Sequence, residues 1–123
     1  MAVSTTTDVT DALLATGFSY NRSEAGADDN VERVRRAIHG CRDLRRYGSA
    51  SLDLCMTAMG IFDGYWELYL QQYDVAAGAL MVTSAGGQVT DLSGGSDWLV
   101  GGQIAASNGT LHDQLLALVG GGT

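Results

Sequence analysis

The chain has 123 residues, 46% of them hydrophobic and 17% charged, so it suits one globular domain and excludes a disordered segment. Its net charge of −7 argues against nucleic-acid binding, because phosphate contacts need a positive surface. No apolar run approaches the ~18 residues of a membrane span, and no charged start leads into a signal-peptide core. We therefore expect a cytoplasmic protein that contacts neither nucleic acid nor membrane.

The charges are unevenly distributed along the chain. All seven basic residues are arginines between positions 22 and 46, and every later charge is acidic. The acidic C-terminal part therefore suits a cation better than an anion. The two cysteines, Cys41 and Cys55, lack the spacing of a metal site and predict buried thiols rather than a disulfide.

The first part of the chain predicts a loose start, a strand and a loop. Residues 1–10 are expected to fray. The apolar run 12–18 predicts a buried strand, and the small polar residues 21–29 predict a loop.

A first helix follows and ends at Gly40. Its buried face is predicted from apolar residues at helical spacing: Val31, Val34 and Ile38. Three arginines are placed largely on the opposite, solvated face, with an oligomer contact as the alternative: Arg33, Arg35 and Arg36.

The middle of the chain predicts a brief extended segment at 43–47 and a helix capped by Ser49. Gly60 ends that helix. The residues predicted to form its buried face are Leu52, Cys55, Met56 and Met59.

The remaining chain alternates strands and helices. Strands are predicted at 62–68, 88–92 and 104–106, and helices at 74–84 and from about 110 to 118, with residues 119–123 loose. The alternation predicts the α/β class with a mostly buried sheet. Asp74 is predicted to cap its helix, and the small residues behind it, Ala76, Ala77 and Gly78, to let that helix lie close to the sheet.

Carboxylates are the chemical candidates that remain after other motifs are excluded. The chain has no phosphate-binding loop, dinucleotide fingerprint, HExxH or GxSxG pattern. Its histidines, His39 and His112, fall at helix ends, where a dipole or solvent role is favoured. Asp63, Glu67 and Asp74 cluster around strand and helix ends. Oxygen-rich ends of this kind suit Mg²⁺, although the pattern alone is weakly specific.

The order of several segments resembles the inositol monophosphatase family. The segments are 12–20, 45–55, 63–67, 73–78, 85–91 and 106–109. They run in family order and spacing from near residue 3 to near residue 118, and they resemble the C-terminal half of that fold. The resemblance implies a single domain over 1–123, with a layered αβα arrangement in which helices flank a mixed sheet.

The resemblance also implies roles for individual residues. Asp74 corresponds to an aspartate that binds catalytic Mg²⁺, and Glu67 to a glutamate that contacts substrate hydroxyls. Gly48, Ser49 and Ala50 correspond to a turn that helps to hold the substrate.

Two departures from the family pattern limit what the resemblance implies. Gln72-Tyr73 stands where the family usually has Pro-Trp before the metal aspartate. The metal-binding glutamate and the Asp-Pro-Ile/Leu-Asp-Gly-Thr motif belong to the N-terminal half, and a chain without proline cannot contain that motif. One carboxylate does not make a multi-metal site, so we expect no phosphatase turnover by this chain alone.

Three hypotheses follow. In the first, the chain stands alone as a repurposed enzyme or ligand-binding protein. It associates with itself, as a dimer, through an apolar face, and Asp74 or Glu67 acts as acid or base in a cleft beside Tyr65, Trp66 and Tyr73. In the second, a separate chain that resembles the N-terminal half completes a Mg²⁺-dependent phosphatase of inositol or sugar phosphates. In the third, the chain is a non-catalytic interaction module. The sequence favours an enzyme with a small-molecule ligand, with Mg²⁺ as cofactor only where a partner completes the site.

Overall fold

The computed structural model of the chain describes residues 1–18 and 28–120. Its strands are β1 (Leu13–Thr16), β2 (Asp43–Arg45), β3 (Gly64–Glu67), β4 (Gln88–Thr90) and β5 (Ile104–Ser107). They form one sheet in the order β2-β1-β3-β5-β4. The first three strands are parallel, whereas β5 is antiparallel to both β3 and β4. The mixed sheet confirms the predicted α/β class.

Helices cover both faces of this sheet. They are α1 (Val31–Gly40), α2 (Ala50–Ala58), α3 (Gln72–Ser84), α4 (Trp98–Gly101) and α5 (His112–Val119). Side chains alternate across β3, so that Trp66 packs with α1 and α5 while Tyr65 packs with α2 and α3. The result is three layers with a core on each side of the sheet. Within the described ranges, no helix has the length and apolar character needed to cross a bilayer.

The orientation of α1 differs from the predicted one. Val31 and Ile38 are 57% and 60% exposed, whereas Arg33 and Ala37 are buried. Arg33 can be buried because its Nε donates to the Val119 carbonyl at 2.7 Å and its guanidinium pairs with Asp28. A buried cation with its donors satisfied replaces the expected apolar contacts. Val34 packs against the core as predicted, but the predicted burial of Val31 and Ile38 and the solvated position of Arg33 were wrong.

The orientation of α2 also differs from the prediction. Leu52 and Met59 are exposed, and the buried residues of this helix are Asp53, Leu54, Thr57 and Ala58. Gly78 of α3 lies against the Leu54 side chain, rather than only against the sheet. Leu54 of α2 is therefore buried against a glycine of α3, whereas Leu52 and Met59 face outward.

The outward side of these two helices, which we call the α2–α3 outer face, is apolar. Its exposed side chains include Leu52, Met59, Tyr73 and Leu80. Each of the two helices has one charged residue: Asp53 is buried, and Asp74 lies in the first turn of α3. A helix that is apolar on both sides is typical of a buried position. This is the apolar face that the resemblance to half of a larger fold predicts.

The N-terminal segment, which we expected to be loose, is hydrogen-bonded to the domain. The Val3 amide donates to the Ala85 carbonyl at 3.2 Å, and the Ser4 hydroxyl donates to Asp63 at 2.6 Å. Met1 lines a cavity of about 420 Å³ together with the C-terminal half of α3. The chain therefore enters the domain beside the end of that helix. The expected loop at 21–29 lies outside the described residues except for its last two, and so does most of the expected loose end at 119–123.

Candidate functional site

The carboxyl ends of the parallel strands meet at one edge of the sheet, which we call the carboxyl edge. It contains residues 17–18 after β1, residues 46–50 after β2, and Glu67 at the end of β3. Both α2 and α3 begin near this edge. Open α/β sheets bind ligands outside the carboxyl ends of their strands, so the fold itself places a candidate site here.

Glu67, the last residue of β3, lies half-buried at the carboxyl edge. The Tyr65 hydroxyl donates to Glu67 Oε1 at 2.6 Å, on the same side of the sheet. Gly17 lies so close that a β-carbon there would be 2.6 Å from the same oxygen. Burial raises the pKa of Glu67; the Tyr65 hydrogen bond opposes that shift, Asp74 adds to it, and Arg46 opposes it. Glu67 is thus a half-buried carboxylate whose environment favours the protonated form more than water does.

Asp74 lies in the first turn of α3 rather than before it. The helix begins at Gln72, so the predicted start at Asp74 is two residues late. Asp74 Oδ2 accepts the Gln71 amide at 2.9 Å, and its carbonyl accepts the Ser51 hydroxyl at 3.2 Å. Among the described residues no donor is assigned to the other carboxylate oxygen. Asp74 therefore has one oxygen for a cation such as Mg²⁺, and the chemistry of a partly exposed carboxylate fits that ion.

The turn between β2 and α2 contains a left-handed glycine followed by a helix cap. Gly48 has a φ of 82°, a left-handed conformation that favours glycine. Ser49 caps α2 by accepting the Leu52 amide at 3.2 Å, and Ala50 is the first helical residue. Tyr73, in contrast, is 82% exposed and directed to solvent. A ligand role for these residues stays a prediction.

Asp53 is a site residue that the sequence reasoning missed. Its side chain is fully buried, and neither carboxylate oxygen has a hydrogen-bond partner among the described residues. Burial, with a smaller contribution from Glu67, raises the pKa of Asp53 to about 7. Tyr65, which is also buried, lies in the electrostatic field of Glu67, Asp53 and Asp74. The signal available in the sequence was a lone charge in an otherwise apolar helix.

Asp63, the third candidate carboxylate, has a structural role. One oxygen accepts the Ser4 hydroxyl at 2.6 Å, and the other accepts the Leu13 amide at 2.7 Å. The side chain thereby ties the N-terminal segment to the start of β1. With both oxygens occupied and the side chain buried, Asp63 is not available to a ligand.

His112 is buried rather than solvent-facing. Its Nδ1 lies 2.7 Å from the Ser107 hydroxyl, and its Nε2 lies 2.8 Å from the Thr90 hydroxyl. Thr90 donates to the Asp91 carbonyl at 2.7 Å, and Ser107 accepts the Gly109 amide at 3.0 Å. Nε2 must therefore carry the proton, and Nδ1 must accept from Ser107. His112 is a neutral structural residue that joins β4, β5 and α5.

Across residues 1–18 and 28–120, no three His, Cys, Asp or Glu side chains are arranged to hold a metal ion. A cavity of about 270 Å³ lies along the loop after β3, lined by residues 68–71 and 101–103. None of the predicted site residues lines it. The site is therefore an open edge with one candidate metal ligand rather than an enclosed pocket.

Comparisons with known proteins agree with the fold. A sequence model of the inositol monophosphatase family matches residues 1–121. The chloroplastic phosphatase IMPL1 of Arabidopsis thaliana is 42% identical over 114 residues, which are 93% of this chain and 30% of that protein. The Nus factor SuhB of Escherichia coli K12 is 40% identical over 93% of this chain and 42% of its own length.

Solved structures give the same result. The inositol monophosphatase from Anabaena (Nostoc) sp. PCC 7120 superimposes with a TM-score of 0.92 at 39% identity, over 96% of this chain and 46% of that one. Mycobacterium tuberculosis SuhB superimposes with a TM-score of 0.80 at 36% identity, over 95% of this chain and 44% of that one. The chain therefore spans less than half the length of each of these four proteins.

Proposed function

Since the chain belongs to the inositol monophosphatase family, we propose that it forms the ligand-binding wall of a Mg²⁺-dependent phosphomonoesterase for inositol or sugar phosphates. It contributes Glu67 and one metal ligand, Asp74, and a second half of the fold contributes the remaining metal carboxylates. By itself the chain binds such a ligand and does not hydrolyse it. The observation that carries the proposal is that Glu67, Asp74 and the Gly48–Ser49 turn share the carboxyl edge while the metal site is incomplete.

In this proposal Glu67 binds the ligand and Asp74 binds the metal ion. Glu67, held by Tyr65 and contacted by Gly17, is placed to accept hydrogen bonds from ligand hydroxyls. Asp74 offers one oxygen to Mg²⁺, and its position is fixed by the Gln71 amide and the Ser51 hydroxyl. In such a site Mg²⁺ supplies Lewis-acid stabilisation of phosphoryl oxygens and lowers the pKa of a bound water.

The α2–α3 outer face supports the need for a second half. Its exposed apolar side chains, among them Leu80 at 67% exposure, match the surface that a further layer would cover. The longer relatives have more than half of their length outside the matched region. We propose that the covering layer is a segment resembling that outside part.

The test is reconstitution. The chain is assayed for phosphate release from inositol 1-phosphate with Mg²⁺, alone and mixed with the part of E. coli SuhB that precedes the matched region. We expect no release by the chain alone, release by the mixture, and loss of that release with Asp74→Asn. Asp113→Asn removes a carboxylate from α5, on the other side of the sheet, and is the matched control. Release by the chain alone contradicts the proposal, and so does release by the mixture that survives Asp74→Asn.

A second candidate function is favoured by one observation. Glu67 lies at the carboxyl edge, and its pKa is raised, chiefly by burial. A carboxylic acid with a raised pKa can act as a general acid without a metal. A self-associated chain with its outer face covered by a second copy would then use the same edge for another reaction. A homodimer by native mass spectrometry, with no activity on reconstitution, favours this alternative.

A further inference from the structure

The start of α1 is joined to the carboxyl edge by a buried amide. Asn30 Nδ2 donates to the Thr16 hydroxyl at 2.9 Å and to the Gly17 carbonyl at 3.0 Å. Its Oδ1 accepts the Trp66 indole N–H at 2.8 Å. Thr16 in turn donates to the Trp66 carbonyl at 2.7 Å. One side chain therefore connects the ends of β1 and β3 at the point where Glu67 emerges.

The segment after Glu67 is joined to the same helix start. The Tyr69 hydroxyl accepts the Asp28 amide at 2.8 Å. Asp28 Oδ1 accepts the Asn30 amide at 2.9 Å, and its other oxygen pairs with Arg33. Tyr69 and Asn30 are thus linked through Asp28. Glu67 lies between the two anchored positions, one residue after Trp66 and two before Tyr69.

Both anchoring residues have a strained backbone. Among the non-glycine residues in the described part of the chain, only Asn30 and Tyr69 have positive φ, at 69° and 60°. Asparagine tolerates this region through its short polar side chain, but a tyrosine there is uncommon. Strain of this kind persists where the surrounding structure holds it, and it clusters at functional sites. The two strained residues of this chain flank one carboxylate.

We propose that Asn30 and Tyr69 are positioning residues that hold Glu67 at the carboxyl edge, with Asp28 as the link between them. The inference rests on the proposed function of Glu67 as the group that accepts ligand hydroxyls. Asn30 holds the residue before Glu67 through the Trp66 indole and, by way of Thr16, through the Trp66 carbonyl. Tyr69 fixes the backbone after it. The strained conformation of Tyr69 is retained because its hydroxyl reaches the start of α1.

Two variants at one position separate positioning from stability. Tyr69→Phe removes the hydrogen bond to Asp28 and keeps the strained backbone. Tyr69→Gly removes the hydrogen bond and the strain together, because glycine adopts positive φ freely. Thr10→Val removes the hydrogen bond from an exposed hydroxyl to Asp8 at 2.8 Å, before the amino end of β1, and is the control away from the carboxyl edge. Each variant is measured for urea unfolding and for binding of inositol 1-phosphate by calorimetry.

The expected result is a separation of affinity from stability. Tyr69→Phe lowers affinity about three- to tenfold, the equivalent of one net hydrogen bond. Tyr69→Gly lowers affinity at least as much without a matching loss of stability. Wild-type affinity in Tyr69→Gly overturns the inference, and so does a loss of affinity that merely follows unfolding.

A second readout keeps the inference testable if the wild-type chain binds no inositol 1-phosphate, a result that contradicts the proposed function alone. The Glu67 carboxyl is titrated by ¹³C NMR in the wild-type chain, Tyr69→Gly and Asn30→Gly. Asn30→Gly keeps the positive φ, adds no charge, and cannot donate to Thr16 and Gly17. If the two residues position Glu67, both variants move its pKa back toward the ordinary 4.5, because the carboxyl gains access to water. An unchanged titration in both variants overturns the inference.

Discussion

The Cα of Gly78 lies against the side chain of Leu54, and a β-carbon at Gly78 would be 2.6 Å from the Leu54 Cβ. This contact brings α3 close to α2 with Leu54 buried, while Leu52 of α2 is exposed. Replacing Gly78 by alanine gains about 1 kcal/mol of helix propensity but forces the two helices apart. Overpacking of a close contact costs about 1–3 kcal/mol.

We therefore expect Gly78→Ala to lower the free energy of unfolding by about 1 kcal/mol net, measured by urea denaturation. Ala76→Gly, at an exposed position of the same helix, reports the propensity difference alone and is the matched control. A Gly78→Ala chain that is more stable than wild type contradicts the close approach of α2 and α3.

Asp53 makes stability depend on pH in an unusual direction. Its pKa is about 7 in the folded chain against an ordinary 3.8, so between these values the folded chain holds more protons than the unfolded chain. Stability from this group is complete below pH 4 and is lost as pH rises through 7. Asp53→Asn should therefore be more stable than wild type by about 2–4 kcal/mol at pH 8, and equal to it near pH 4. Urea unfolding at several pH values measures the difference, and a constant difference contradicts the assignment.

His112 acts in the opposite direction. Burial lowers its pKa below the ordinary 6.5, so the unfolded chain binds a proton more readily as pH falls. The stability contributed by neutral His112 is complete above pH 6.5 and is lost as pH falls below it. His112→Phe should cost about 2 kcal/mol at pH 8, because Ser107 and Thr90 lose their partner. It should also flatten the fall in stability on acidification, and a slope equal to that of wild type would refute this role.

A charge on the α2–α3 outer face should weaken association without changing the stability of the domain. Leu80→Glu places a charge on the exposed side of α3 and should change the free energy of unfolding by no more than about 0.5 kcal/mol. It should weaken binding to a complementary half, or to a second copy, by tenfold or more in sedimentation velocity. Val31→Glu alters a similarly exposed residue of α1 on the other side of the sheet. Equal effects of the two variants on association would show that the α2–α3 outer face is not the contact.

The strand positions and the layers followed from sequence better than the orientation of the helices did. Each strand of the sheet overlaps a segment predicted to be extended, and the family resemblance implied a mixed sheet between helices. Helical periodicity failed at α1 and α2 for different reasons. At α1 the buried cation is Arg33, because the Val119 carbonyl and Asp28 pair with its guanidinium. At α2 apolar residues lie on both sides, so the buried face is the one that approaches closest, as Leu54 does at Gly78.

The chemistry of the carboxyl edge was predictable only in part. Glu67 and Asp74 stood out because short motifs carry them. Asp53, Asn30 and Tyr69 did not, because their importance depends on burial, on hydrogen bonds across the fold, and on a backbone conformation that no local pattern encodes. Asp63 has the same chemistry as the candidates, and only its two hydrogen-bond donors show it to be structural.

The position of Met1 beside the C-terminal half of α3 determines where anything joined to the N-terminus would be delivered. A domain fused there through a short linker meets the α2–α3 outer face at an effective concentration on the order of millimolar. At that local concentration even a weak contact is occupied. The α2–α3 outer face would therefore be covered in a fused chain even where its affinity is too low to hold two separate chains together.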